Sequence, residues 1–279
     1  MKTRFALSAA FVLAMGVAFL PASAGDAAAT APAAATVHHP WEDAQAVLDA
    51  TDADVAKGGG FTAVGQHLSE LEAALAGADA AFAATDSGTG PIYVLTDGLT
   101  NTLLSLVSTA AAQDKTPGTK GRETIAVKNP YPAITLYIGA YDNEIGKFED
   151  ALRALDKGLA LYASHGIEFG THQPSLVSER AVALARLNRL PEALTAYEDG
   201  LKLVGIDDSG RARMHRGRGF VLTEMGRLDD AEAAYRESLK LEPGNKIAIG
   251  ELDYIARLRA GEGKQPGGIT APGMQPKTQ

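Results

Sequence analysis

The chain has 279 residues, 46% of them hydrophobic, and a formal net charge of −8. An acidic balance of this kind argues against general binding of nucleic acid or anionic membrane. Cysteine is absent, which excludes disulfides, thiolate nucleophiles and cysteine-held metals, and the length suits one elongated helical domain or two small ones.

Residues 1–24 read as an export signal. Lys2 and Arg4 form the basic end, Phe5 to Leu20 the apolar stretch, Pro21 a breaker and Ala22-Ser23-Ala24 the cleavage site. The apolar run falls short of the ~20 residues a spanning helix needs. No cysteine follows the cleavage site, so the expectation is a cleaved signal with no stable membrane anchor. Export without cysteine points to a bacterial periplasm, with outright secretion as the other destination. Residues 25–40 are mostly Ala, Thr and Pro, have nothing large to bury and are expected to be a disordered leader. His38-His39 at its end is read as solvated linker, not as a metal site.

Residues 41–112 form an N-terminal helical region. Trp41 to Ala56 predicts a short helix, with Pro40 near its first turn and Glu42-Asp43 on its dipole. Trp41, the single tryptophan, is expected in the core. Gly58-Gly59-Gly60 breaks the chain and lacks the Gly-Lys-Ser/Thr ending of a phosphate loop. Phe61, Val64, Leu68, Leu71, Leu75, Ala78 and Phe82 then make a stripe at steps of three and four. After a turn at Asp86 to Pro91 comes a second stripe, Ile92, Leu95, Leu99, Leu103, Leu106 and Ala110. The two predict an antiparallel hairpin of helices roughly 30 Å long, either a degenerate repeat or a separate capping pair. His67 stands beside the first stripe and is expected to be a surface or half-buried histidine. Residues 113–129 are a polar loop with Thr124 to Val127 as a brief extended piece; the loop is either mobile or lies across the helices of the second half.

From 130 to 260 one phrase recurs. Gly146-Lys147-Phe148-Glu149-Asp150-Ala151, Asn188-Arg189-Leu190-Pro191-Glu192-Ala193 and Gly226-Arg227-Leu228-Asp229-Asp230-Ala231 each give a turn former, a base, a large apolar residue, a variable position, an acid and alanine. Gly or Asn accepts the left-handed backbone that ends a helix. The acids sit in the next helix's first turn, where its dipole favours negative charge. The small alanine lets a neighbouring helix approach, and Leu155, Tyr197 and Tyr235 follow four residues on, on the same face. Each phrase is the corner of a helical hairpin, and its recurrence signals stacked repeats.

On these residues the segment resembles a tetratricopeptide repeat array. The unit 212–245 carries that family's pattern in Gly219, Leu222, Gly226, Ala231, Tyr235, Ser238 and Pro243. Unit 174–207 carries Ala181, Leu184, Asn188, Ala193, Tyr197 and Gly200, departing at Gly205, where the family has Pro. Unit 132–165 carries Gly139, Gly146, Ala151 and Gly158, departing at Asp142 and Leu155. Extra residues between units imply longer second helices or looser connections. Residues 246–260 predict a capping helix with Ile249, Leu252, Ile255 and Leu258 inward and a polar outer face. Residues 261–279 are expected to be disordered. The implied fold is all-α: a tetratricopeptide-like α-solenoid of stacked antiparallel helix pairs, with an N-terminal helical hairpin and disordered termini.

The resemblance also implies a concave groove lined by the first helix of each unit. Its partner-facing positions map to Arg213, Arg216, Phe220 and Thr223 in the third unit, Ser175, Ser178, Val182 and Ala185 in the second, and Ala133, Leu136, Ala140 and Asn143 in the first. Arg213 and Arg216 suit a partner's carboxylate, with Phe220 as apolar contact. The competing reading pairs both arginines with acids at 228–232 of their own hairpin or with Glu179. No His-Glu-x-x-His zinc pattern, Gly-x-Ser-x-Gly elbow or other catalytic motif occurs, so neither catalytic nor metal residue is assigned and no cofactor is expected. The sequence therefore reads as a non-enzymatic periplasmic scaffold holding a protein or peptide in its groove, with self-association through that groove as a further possibility. The competing reading is an envelope enzyme or ligand-binding protein active through 41–129.

Overall fold

The computed structural model describes residues 38–164 and 170–262. The segments read as export signal and leader, up to residue 37, residues 165–169 and the tail from 263 lie outside these residues. Among the described residues no helix is long and apolar enough to cross a membrane.

The second half is a stack of helix pairs. The first pair is α6 (Tyr131–Glu144) with α7 (Phe148–Ser164), the second α8 (Gln173–Arg186) with α9 (Leu190–Gly200), and the third α10 (Asp208–Glu224) with α11 (Leu228–Leu241). Helix α12 (Lys246–Arg259) closes the stack on α11. Within each pair the helices pack together, and α7 meets α8 and α9 meets α10 across the units. The fold is a tetratricopeptide-like α-solenoid.

The corners form for the reason the sequence suggests. Gly146 (φ 83°), Asn188 (φ 59°) and Gly226 (φ 74°) are all left-handed. Asn188 is the sole non-glycine among the described residues to adopt this backbone. Ala151, Ala193 and Ala231 are fully buried, as are Leu155 and, almost completely, Tyr197 and Tyr235. The glycines are spaces for these side chains. A Cβ on Gly139 would lie 2.4 Å from Leu155, and one on Gly219 2.9 Å from the Tyr235 ring. Gly217 makes the corresponding space for Tyr197 of the preceding unit, at 2.2 Å. The first spacer is absorbed partly by α7, which is 17 residues long against 14 for α11. Buried Ala248, Ile255 and Leu258 seat α12; Ile249, expected to face inward, is exposed, and Ala248 one position before it takes the inward place.

The N-terminal region departs further from expectation. Helix α1 (Pro40–Asp54) runs into a π-helical turn, Val55–Gly59, kinked at Gly58 (φ 94°). The first apolar stripe is three short helices: α2 (Gly60–Gln66), α3 (Leu68–Ala76) and α4 (Ala78–Ala83). Breaks at His67 and Gly77 turn the chain so that Val64, Leu71, Leu75 and Ala78 still reach one core. His38-His39 is not merely linker. The His39 ring stacks on buried Trp41 at 4.3 Å and its backbone N–H donates to Glu42, closing the first turn of α1. His38 lies 3.2 Å from Glu42 and 3.1 Å from Asp43, acids that the sequence reading did not place beside it.

The predicted second helix of the hairpin does not begin at Ile92. Residues Ile92–Thr96 form strand β1, followed by α5 (Leu99–Gln113). Strand β2 (Thr124–Lys128) pairs parallel with β1, Ile92 opposite Thr124 and Thr96 opposite Lys128. Ile-Tyr-Val-Leu-Thr is a β-branched and aromatic run, and Gly98 (φ 92°) separates it from the helix. The spacing of Ile92, Leu95 and Leu99 matched a helical step by coincidence. Helix α5 packs on β1 and β2, not on the first stripe.

The stack is nevertheless continuous. Helices α2 and α3 pack on α6. Trp41, Leu48, Val64, Leu71 and Leu75 share one hydrophobic cluster with Tyr131, Ile134, Ile138, Ala154 and Leu161 of the first pair. Residues 41–83 stand where a preceding repeat would.

Candidate partner-binding surface

The first helices of successive units, α6, α8, α10 and α12, lie side by side. They form one face, and every residue assigned to the groove lies in α6, α8 or α10.

A polar seam crosses this face. The Asn143 side-chain amide of α6 donates to the Glu179 backbone carbonyl (3.0 Å) and to its carboxylate (3.1 Å) on α8. Glu179 is buried at 2% exposure and its charge favours the guanidinium of Arg213 on α10, whose pKa burial lowers. Arg213 also donates to the Ser175 hydroxyl at 3.4 Å. Burying a carboxylate and a guanidinium is tolerated when each meets the other and hydrogen-bonding partners. Three repeat units are thereby tied through Asn143, Glu179 and Arg213.

Arg216 is engaged elsewhere. It donates to Glu242 at 2.5 Å and to the Ser238 hydroxyl at 3.2 Å. Glu242 also accepts from Asn245 (2.8 Å) and Ser209 (3.2 Å). Arg216 therefore braces the end of α11 against the start of α12, whose first N–H groups Asn245 caps. The acids at 228–232 do not hold the groove arginines: Asp229 and Glu232 take Arg259 of the closing helix. Arg218 pairs with Glu198 at 3.3 Å.

Several assigned positions lie beneath the surface. Ser178 and Thr223 are buried at 4% and 2%. Ser178 lies against the Tyr197 hydroxyl, and Thr223 donates to the Gly219 carbonyl of its own helix. Ala185, Ala133, Leu136 and Ala140 are also buried. In the first unit this follows from α6 being enclosed by α2, α3, α7 and α8. Asn143, Ser175, Val182, Arg213, Arg216 and Phe220 keep partial exposure, so they are the assigned residues a partner can touch. A separate shallow cleft, lined by Arg180, Pro191, Glu192, Thr195, Ala196 and Asp199, contains none of the assigned groove residues.

One buried cluster was invisible in the sequence. Asp97, at the end of β1, accepts from the Tyr162 hydroxyl of α7, from the His172 backbone N–H (3.2 Å) and lies 3.0 Å from His172 Nδ1. The backbone N–H of Asp97 donates to Asn101 (3.0 Å). Burial opposes its charge, yet His172 and Tyr162 hold the carboxyl below the usual carboxylate range. Burial, then the nearby Asp97 charge, push the Tyr162 hydroxyl up. The cluster fastens the two-stranded unit to the start of the second repeat. Asp97 and its partners are 65 and 75 residues apart, and no local spacing relates them. Among the described residues no group of three or more His, Cys, Asp or Glu side chains is arranged to hold a metal.

The fold is that of stacked tetratricopeptide-like helix pairs, and one of these pairs matches a known repeat family. Residues 212–245, which make up α10 and α11 with their flanks, match the tetratricopeptide repeat family model. Similar solved structures include the first TPR domain of the human RPAP3 protein, 23% identical, covering 47% of this chain and 94% of that one, with a TM-score of 0.39. The first TPR of Spaghetti (RPAP3) bound to the HSP90 peptide SRMEEVD is 24% identical over 48% of this chain and 97% of that one, TM-score 0.39. The second TPR domain of human RPAP3, in complex with the HSP70 peptide SGPTIEEVD, is 26% identical over 45% and 98%, TM-score 0.36. No curated protein gives a significant match.

Proposed function

We propose that the protein is a non-enzymatic scaffold that holds a protein or peptide partner against the face formed by α6, α8 and α10, and that it works in the bacterial periplasm after export. The observation that carries this reading is the uninterrupted row of first helices, with partly exposed Val182 and Phe220 beside a fixed polar seam. A rigid scaffold of this kind presents side chains at set spacing, which lowers the ordering cost of binding. Residues Lys2 to Ala24 support export, and the lack of cysteine is compatible with the envelope.

The arginines act differently from a simple carboxylate clamp. Arg213 is partly exposed beside Glu179 and Ser175, and Arg216 is committed to Glu242. A partner's acidic group is therefore met chiefly at Arg213, with apolar contact at Phe220 and Val182. Charge reversal at Arg213 would set like charge against buried Glu179 and damage the stack itself, so Arg213→Gln is the cleaner variant.

The test is site-specific photo-crosslinking in intact cells. A photoreactive residue at Val182 or Phe220 is expected to trap the same partner, identified by mass spectrometry. The same residue at exposed Arg153, on the second helix of a pair, is expected to trap none of it. Equal capture from all three positions, or none from Val182 and Phe220, would reject the face as the binding site.

A further inference from the structure

Among the described residues, helix α5 carries a surface unlike the others. Leu99, Leu103, Leu104 and Val107 are 72%, 57%, 48% and 69% exposed. The remaining exposed large hydrophobics, Ile145, Val204 and Ile249, stand singly on other segments. Ala110 and Ala111 continue the stripe, also exposed. The one buried residue of α5 is polar Asn101, which accepts the Asp97 N–H. A contiguous apolar patch on a helix marks an interaction surface.

We propose that this face is a self-association surface on which α5 of a second copy packs antiparallel to the first. Two features select that occupant. From Leu99 to Gln113 the helix has no charged residue, although the chain is 22% charged with net charge −8. Two copies repel on average, and α5 is the patch on which they meet without opposing carboxylates. The stripe is also tapered. Its first half is leucine (Leu99, Leu103, Leu104), its second half valine and alanine (Val107, Ala110, Ala111).

Antiparallel pairing sets the wide half of each helix on the narrow half of the other. Leu99 meets the copy's Ala111, and Leu103 meets the copy's Val107. Parallel pairing sets leucine on leucine and alanine on alanine, so the two axes would have to splay at one end and close at the other. The antiparallel arrangement is isologous, so it closes at two copies, and it opposes the two helix dipoles favourably. Because α5 rests on β1 and β2 and not on the repeats, pairing leaves the α6–α8–α10 face open. It is distinct from self-association through the groove.

The test uses the absence of native cysteine. Light scattering of the purified protein across a dilution series is expected to show a monomer–dimer equilibrium. Leu103→Glu is expected to weaken it by on the order of tenfold or more, with unchanged circular dichroism because the side chain is exposed. Mixed Leu99→Cys and Ala111→Cys copies are expected to form a disulfide-linked dimer on oxidation, while Leu99→Cys alone is not. A monomer at every concentration means another molecule or another part of this chain covers α5, and overturns the proposal. So does a dimer that Leu103→Glu leaves intact, or efficient crosslinking of Leu99→Cys to itself.

Discussion

The repeats and the N-terminal region solve the same packing problem in different ways. In the repeats, every helix lays its small residues against a neighbour made by the next few dozen residues. A phrase of six residues is enough to specify each corner. In residues 40–128 three of the helices, α2 to α4, are short, the sheet has two strands, and the pieces are held by contacts between distant residues. Asp97 reaches Tyr162 and His172, Tyr137 donates to Asp52 at 2.5 Å, and Lys157 donates to the Leu75 carbonyl at 3.2 Å. Local patterning makes a regular stack; where it is weak, polar long-range contacts fix the arrangement, and one helix face is left uncovered.

The contrast can be broken most strongly within the repeats. Tyr235 is 1% exposed and fills the space over Gly219. Tyr235→Ala is expected to cost about 4 kcal/mol in urea denaturation. A loss near that of an ordinary surface substitution would show that the repeat core is not built on this aromatic.

The next largest effect belongs to the seam between the regions. Asp97→Ala leaves the Tyr162 hydroxyl and the His172 N–H without their acceptor and is expected to cost about 3 kcal/mol. Amide exchange should rise at β1 and at the start of α8, and not at α10 or α11. A uniform rise would mean that Asp97 is merely part of a general core.

The third effect has the opposite sign. Asp142 stands in the first repeat where the family pattern has a large apolar residue or Tyr, and it is 4% exposed. Burial, and then the Asp150 charge, raise its pKa from 3.8 to about 6. The folded state thus binds the Asp142 proton more tightly than the unfolded chain. This residue's contribution to stability is fully favourable below pH 4 and is lost as pH rises through about 6. Asp142→Asn is expected to stabilise the protein by about 3 kcal/mol at pH 7 and to change little at pH 4. Equal effects at both pH values would remove the carboxylate from the explanation.

The same contrast decides what the sequence could reveal. Gly146, Asn188 and Gly226 announced the corners because left-handed backbone selects Gly and Asn. Ala151, Ala193 and Ala231 announced the close contacts because only small residues fit there. In the N-terminal region, the step from Ile92 to Leu95 to Leu99 satisfied helical spacing although Ile92–Thr96 is a strand. Its side chains suited either structure, and the parallel partner lay 32 residues away. At the proposed groove, family positions fall on the first helices of the three units. They did not show that Ser178 and Thr223 face inward, or that Glu242 takes up Arg216. Those outcomes depend on side chains from other units, which spacing along one helix does not encode.

The central claim is that α1–α4 serve as the preceding layer of one uninterrupted stack, not as a separate functional domain. Native-state hydrogen exchange of the full chain, followed against low concentrations of urea, tests it directly. The account predicts that amides of α3, α6 and α7 exchange through a common opening with one free energy and one urea dependence, while α5 opens earlier. Exchange of α1–α4 as an independent unit, with α6 and α7 still protected, would contradict it.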